Sequence, residues 1–109
     1  MEFEINGMKW LIKKHSAKEL LEHYKKNNND DVTYLFGYTD FTQHEVCINE
    51  ECCFDQQCVT LAHELTHCWI FNSGLYYADG FMVETVCEIV SNCHRFVHDT
   101  VERYKKEMK

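Results

Sequence analysis

The order of apolar and polar positions along the chain divides it into five elements. The N-terminal segment reads as a hairpin. Asn6-Gly7 is the strongest two-residue turn signal, and it pairs Ile5 with Met8 and Phe3 with Trp10 on one face. Ser16 is placed as a helix N-cap, with Glu19 completing a capping box. Leu20, Leu21 and Tyr24 give that helix an apolar side as far as about Lys26. The polar run Lys25 to Asp31 reads as a loop. Val32 to Tyr38 is β-branched and aromatic and predicts a mostly buried strand, after which Thr39-Asp40 begins a turn. Gln43 to Asn49 alternates, with His44, Val46 and Ile48 on one face, and predicts a half-buried strand antiparallel to the previous one. A helix is expected from about Asp55 to Asn72, with Gly74 as its left-handed cap. Asp79-Gly80 marks a turn, and a last helix is expected from about Phe81 to Tyr104. The order is hairpin, helix, hairpin, helix, helix. It predicts an α+β fold with a small antiparallel sheet packed against helices.

Composition narrows the class. The 109 residues correspond to one domain, residues 1–109, and 45% of them are apolar, too many for a disordered tail. Formal net charge is −7, the wrong balance for a partner that is nucleic acid or an anionic membrane. No apolar run approaches a membrane span, and acidic residues stand near the N-terminus where a signal peptide is basic. The seven cysteines are an odd number, which fits reduced thiols in a cytoplasmic protein better than a disulfide scaffold. Cys47, Cys52, Cys53 and Cys58 follow no ribbon-type zinc spacing. A metal site built from them is the lesser alternative to small, buried side chains.

The chemistry concentrates in His63-Glu64-Leu65-Thr66-His67, inside the helix VTLAHELTHCWIF. Residues four apart share one face of a helix, so the two imidazoles can bind one tetrahedral Zn2+ from the same side. Glu64 stands about 100° round from His63, where it can hold a water at the metal and act as general base. Two histidines seldom hold catalytic zinc alone, and a third ligand is required. Glu84 follows His67 by 17 residues on the last predicted helix, with Glu88 one turn later. Their flanks are apolar, where unpaired carboxylates are costly, so the zinc site is expected between the HExxH helix and the C-terminal helix. Glu84 is the expected ligand, and Glu88 the expected hydrogen-bond partner of a ligand imidazole. Two solvated helix-surface acids are the bland alternative. His94 and His98 also lie four apart, too far along the helix from Glu84 for His98 to share its metal. Tyr38, Tyr76 and Tyr77 are weaker candidates to stabilise an oxyanion, since aromatics near loops more often pack.

These residues carry a resemblance. HELTH followed by a glutamate, with an acid four residues further on, resembles the gluzincin pattern of metallopeptidases. The stretch TLAHELTHCWIFNSGLYYADGFMVETVCEIV resembles small phage and mobile-element proteins of Gram-positive bacteria, relatives of the ImmA/IrrE metallopeptidases and the minigluzincins. GYTDFTQHEVCIN is similar to their hairpin before the zinc helix, and the likeness spans about residues 32 to 95. It implies His63, His67 and Glu84 as zinc ligands and Glu64 as general base. One departure is that the acid after the ligand is usually Asp, where this chain has Glu88.

The expected function is a zinc-dependent peptidase acting on a peptide or protein substrate through a metal-activated water. One Zn2+ per chain is expected, with the substrate lying along an edge strand, for which Gln43 to Asn49 is the candidate. Two alternatives stand beside it. One is a zinc-stabilised interaction module that cleaves nothing, against which an intact Glu64 argues. The other is a mobile-element regulator that binds a repressor.

Overall fold

A computed structural model of the chain describes residues 1–74 and 83–109, the second segment without the side chains of 83–88, 91 and 92. Strand β1 (Glu2–Ile5) turns at Asn6-Gly7 into β2 (Met8–His15). Both turn residues have positive φ, 50° and 82°, as a type I′ hairpin requires. Phe3 pairs with Trp10 and Ile5 with Met8, as expected. Helix α1 (Ala17–Lys25) starts at Ser16, whose side chain accepts from the Glu19 backbone N–H while Glu19 answers to Ser16. Strands β3 (Gly37–Asp40) and β4 (Glu45–Asn49) form the second hairpin. Helix α2 (Phe54–Asn72) ends near Gly74 at φ +75°, and α3 (Val83–Glu107) follows. The turn expected at Asp79-Gly80 lies outside the described residues.

The strand order is β1-β2-β4-β3, and the sheet is mixed rather than antiparallel throughout, because β2 and β4 run parallel. Local signals encode the two hairpins. The pairing between them joins Leu11 to Glu45, a contact that no turn motif announces. This order also removes β4 from the edge: it lies between β2 and β3, and β3 is the edge strand on this side among the described residues. The strand expected over Val32 to Tyr38 begins later, at Gly37. Its partner runs out there, since Gly37 faces Ile48 and the last link is Asn49 N–H to the Phe36 carbonyl at 2.9 Å. Tyr34 and Phe36 are instead about half exposed. His44 precedes β4 in a left-handed conformation, φ 55°, and stacks on Trp10.

One face of the sheet, with Phe3, Ile5, Trp10, Ile12, Val46 and Ile48, packs on Leu61, Leu65 and Cys68 of α2 and Tyr104 of α3. The Tyr104 hydroxyl donates to Gln57 Oε1 at 2.7 Å, tying the two helices across the core. No helix among the described residues is long and apolar enough to cross a membrane. Gly37 sets how closely β3 approaches α2. A Cβ there would stand 2.7 Å from both the Cys47 carbonyl oxygen and Thr60 Cγ2. Gly37→Ala is expected to destabilise the fold by about 1–3 kcal/mol, the usual cost of overpacking, read as a lower midpoint in urea unfolding. An unchanged midpoint would mean that β3 can lift off α2 freely.

Six cysteines are described, all free. Cys47, Cys58, Cys68 and Cys93 are buried, Cys52 is half-buried and Cys53 exposed. Among the described residues no three cysteines come within ligand distance of one another, so the four-cysteine metal site does not form. Burial pushes the Cys47 and Cys68 thiols up to about 12 and raises Cys58 and Cys93 in the same direction. These groups stay protonated at neutral pH and lack the reactive thiolate. Alkylation of the native protein without reductant, read by mass spectrometry, is expected to modify Cys53 first, then Cys52, with the buried four slowest. A native disulfide would overturn this.

Candidate metal centre

The HExxH sequence lies in the middle of α2, where helical spacing brings His63 and His67 to one face. Both imidazoles are exposed, and their Nε2 atoms stand 3.2 Å apart. Two nitrogens about 2.0–2.1 Å from one tetrahedral zinc are separated by about 3.3–3.4 Å. Lone pairs at such a distance repel unless a proton or a cation sits between them. The donor chemistry and the spacing therefore fit zinc.

Glu64 is 7% exposed, turned towards the sheet. Its Oε1 accepts a hydrogen bond of 2.8 Å from Thr39 Oγ1 on β3, and its Oε2 lies 4.0 Å from His63 Nε2. Thr39 thus fixes one carboxylate oxygen and leaves the other directed at the histidine pair. The sequence places Thr39 at the start of a turn, and its role is visible only once β3 is seen to lie over α2. Among the described residues no third histidine, cysteine or carboxylate joins the two imidazoles at ligand distance. Glu84 and Glu88 fall in the first two turns of α3, but their side chains lie outside the described residues.

The site opens into a cleft of about 360 Å³ lined by Thr60, His63 and Glu64, with the exposed Tyr34, Phe36 and Val59 on its rim. The rim is apolar and exposed, with Tyr34 and Phe36 in edge-to-face contact at 5.6 Å. The rim is anchored from below. Asn49 Nδ2 donates to the Leu35 carbonyl at 2.9 Å, and Tyr34 Oη stands 3.7 Å from Cys52 Sγ. On the other side of Glu64 a smaller hollow is formed with Thr39, Phe41 and His67. Glu64 therefore borders two depressions beside β3.

The remaining candidates lie elsewhere. Tyr38 points to the opposite face of the sheet and packs on His23 and Tyr24, away from the HExxH pair. Tyr76 and Tyr77 are outside the described residues. His94 donates through Nδ1 to the Val90 carbonyl at 3.0 Å and, with His98, lines an apolar groove between α2 and α3. Comparison of the chain with family models, with curated proteins and with solved structures returns no match.

Proposed function

We propose that this chain is a cytoplasmic zinc-dependent peptidase of the gluzincin kind. The observation that carries the reading is the pair of imidazole nitrogens at 3.2 Å with a buried, oriented carboxylate beside them. His63 and His67 would hold the metal, Glu84 is the proposed third ligand, and Glu88 the proposed hydrogen-bond acceptor for a ligand imidazole. Zinc, when bound, supplies Lewis acidity that polarises a carbonyl and acidifies water.

The chain's own groups supply the rest. Glu64 accepts the proton of the attacking water through its free oxygen and returns it to the leaving amine nitrogen. Thr39 keeps the carboxylate in place during both transfers. The edge of β3, which no other strand among the described residues pairs, offers backbone groups to an extended peptide, and Tyr34 and Phe36 offer apolar surface to its side chains. The Thr39–Glu64 hydrogen bond favours an enzyme over a non-catalytic zinc module, in which an oriented carboxylate has no role.

Metal analysis of the purified protein, followed by a proteome-wide cleavage screen against a Glu64→Gln control, tests the proposal. Bound zinc and products absent from the control are expected. A metal-free protein, or identical products from both, would overturn it.

A further inference from the structure

The sheet has a second face with a donor set of its own. Strand alternation and register put Lys13 and His15 of β2, Glu45 and Cys47 of β4, and Tyr38 and Asp40 of β3 on the side away from α2. Helix α1 covers this side and brings His23 onto it. One ring nitrogen of His23 and one carboxylate oxygen each of Asp40 and Glu45 lie within 4.8 Å of one another.

Three observations mark this cluster as unfinished. Asp40 is 8% exposed, yet among the described residues no cation reaches it. Its Oδ1 accepts the backbone N–H groups of Thr42 and Gln43 at 3.0 Å each, which fixes the carboxylate and leaves Oδ2 open. A buried carboxylate without a counter-charge is costly. Next, His23 forms no hydrogen bond or ion pair with either acid, and its Nδ1 is shielded from solvent without a partner. Finally, His15 Nε2 and the Tyr38 hydroxyl are shielded and unpartnered as well. Their rings flank His23 at 5.7 Å on either side. Leaving such groups unsatisfied is costly.

We propose that His23, Asp40 and Glu45 form a second metal site, for a divalent transition ion such as Zn2+ or Mn2+, independent of the HExxH helix. One imidazole and two carboxylates are a borderline-to-hard donor set, and their two negative charges match a dication. Donors on opposite sides of a six-coordinate ion stand about 4.2–4.4 Å apart and adjacent ones about 3 Å, so His23 and Glu45 must turn towards the fixed Asp40 carboxylate to close on an ion. The resident competitor is Lys13, whose ammonium pairs with Glu45 and is itself 44% exposed. Metal binding must displace this ammonium or share Glu45 with it.

Calorimetric titration of a His63→Ala/His67→Ala double variant with Zn2+ and with Mn2+ isolates the second site. One residual site per chain is expected. His23→Gln or Glu45→Gln in that background should weaken it more than about tenfold, since even a lost outer partner of a ligand costs 10- to 100-fold. Asp40→Asn should act likewise, and its role in the turn makes circular dichroism a necessary control. Lys13→Met should tighten binding by freeing Glu45. A double variant that binds neither ion, or whose affinity ignores His23→Gln and Glu45→Gln, would overturn the proposal. Because the HExxH pair is removed throughout, failure here leaves the peptidase reading untouched, and failure of that reading leaves this site standing.

Discussion

Glu64→Gln is expected to retain zinc and to lower peptide hydrolysis by about 10²- to 10⁴-fold, the usual contribution of a positioned general base. The amide keeps the shape of the carboxylate and can still accept the Thr39 hydrogen bond through its oxygen, so the fold and the histidine pair stay as they are. It has lost the ability to take a proton from water. Metal content and turnover of the same preparation, measured side by side, give the comparison. Equal turnover in the two proteins would remove Glu64 from the chemistry. Loss of zinc in the variant would make Glu64 a ligand instead.

His63→Ala is expected to lose the tight zinc and, with it, much of the thermal stability of the loaded protein. Its side chain is 69% exposed, so its own packing contributes little, and any large change must come through the metal. At free zinc a thousandfold above Kd, binding stabilises the folded state by about 4 kcal/mol. In a domain of this size each kcal/mol moves Tm by roughly 4 °C or more. The zinc-loaded protein should therefore melt well above the variant in the same buffer. Equal zinc content and equal melting in variant and wild type would sink the assignment.

What was legible in the sequence is what local geometry encodes. Asn6-Gly7, Ser16 with Glu19, and Gly74 each fix a backbone conformation within a few residues, and all three stand where they were expected. The face shared by His63 and His67 follows from helical period alone. Pairings between distant segments were not legible. The parallel alignment of β2 with β4 joins two hairpins that each look complete, so the sheet was expected to be antiparallel throughout and β4 to lie at its edge. Val32 to Phe36 has strand composition, but a strand lasts only as long as its partner, and that length is written in β4. Thr39 and the His23–Asp40–Glu45 group were hidden for the same reason: each is assembled from separate elements by the sheet. The expected ligands Glu84 and Glu88 gain only their position on α3.

The parallel pairing also bears on how fast the protein can fold. Joining Leu11 to Glu45 closes a long loop of chain before any ladder bond rewards it, whereas each hairpin closes within a few residues. Such non-local closure raises contact order above that of a helical bundle, and mixed helix-and-sheet domains fold more slowly than bundles do. Helices and hairpins can form early and separately. Glu45 meets Lys13 of the first hairpin, and Asp40 nears His23 of α1, only when the two hairpins dock. Until that step the edges of β2 and β4 are both unpaired, which makes the undocked chain the species most exposed to aggregation during synthesis.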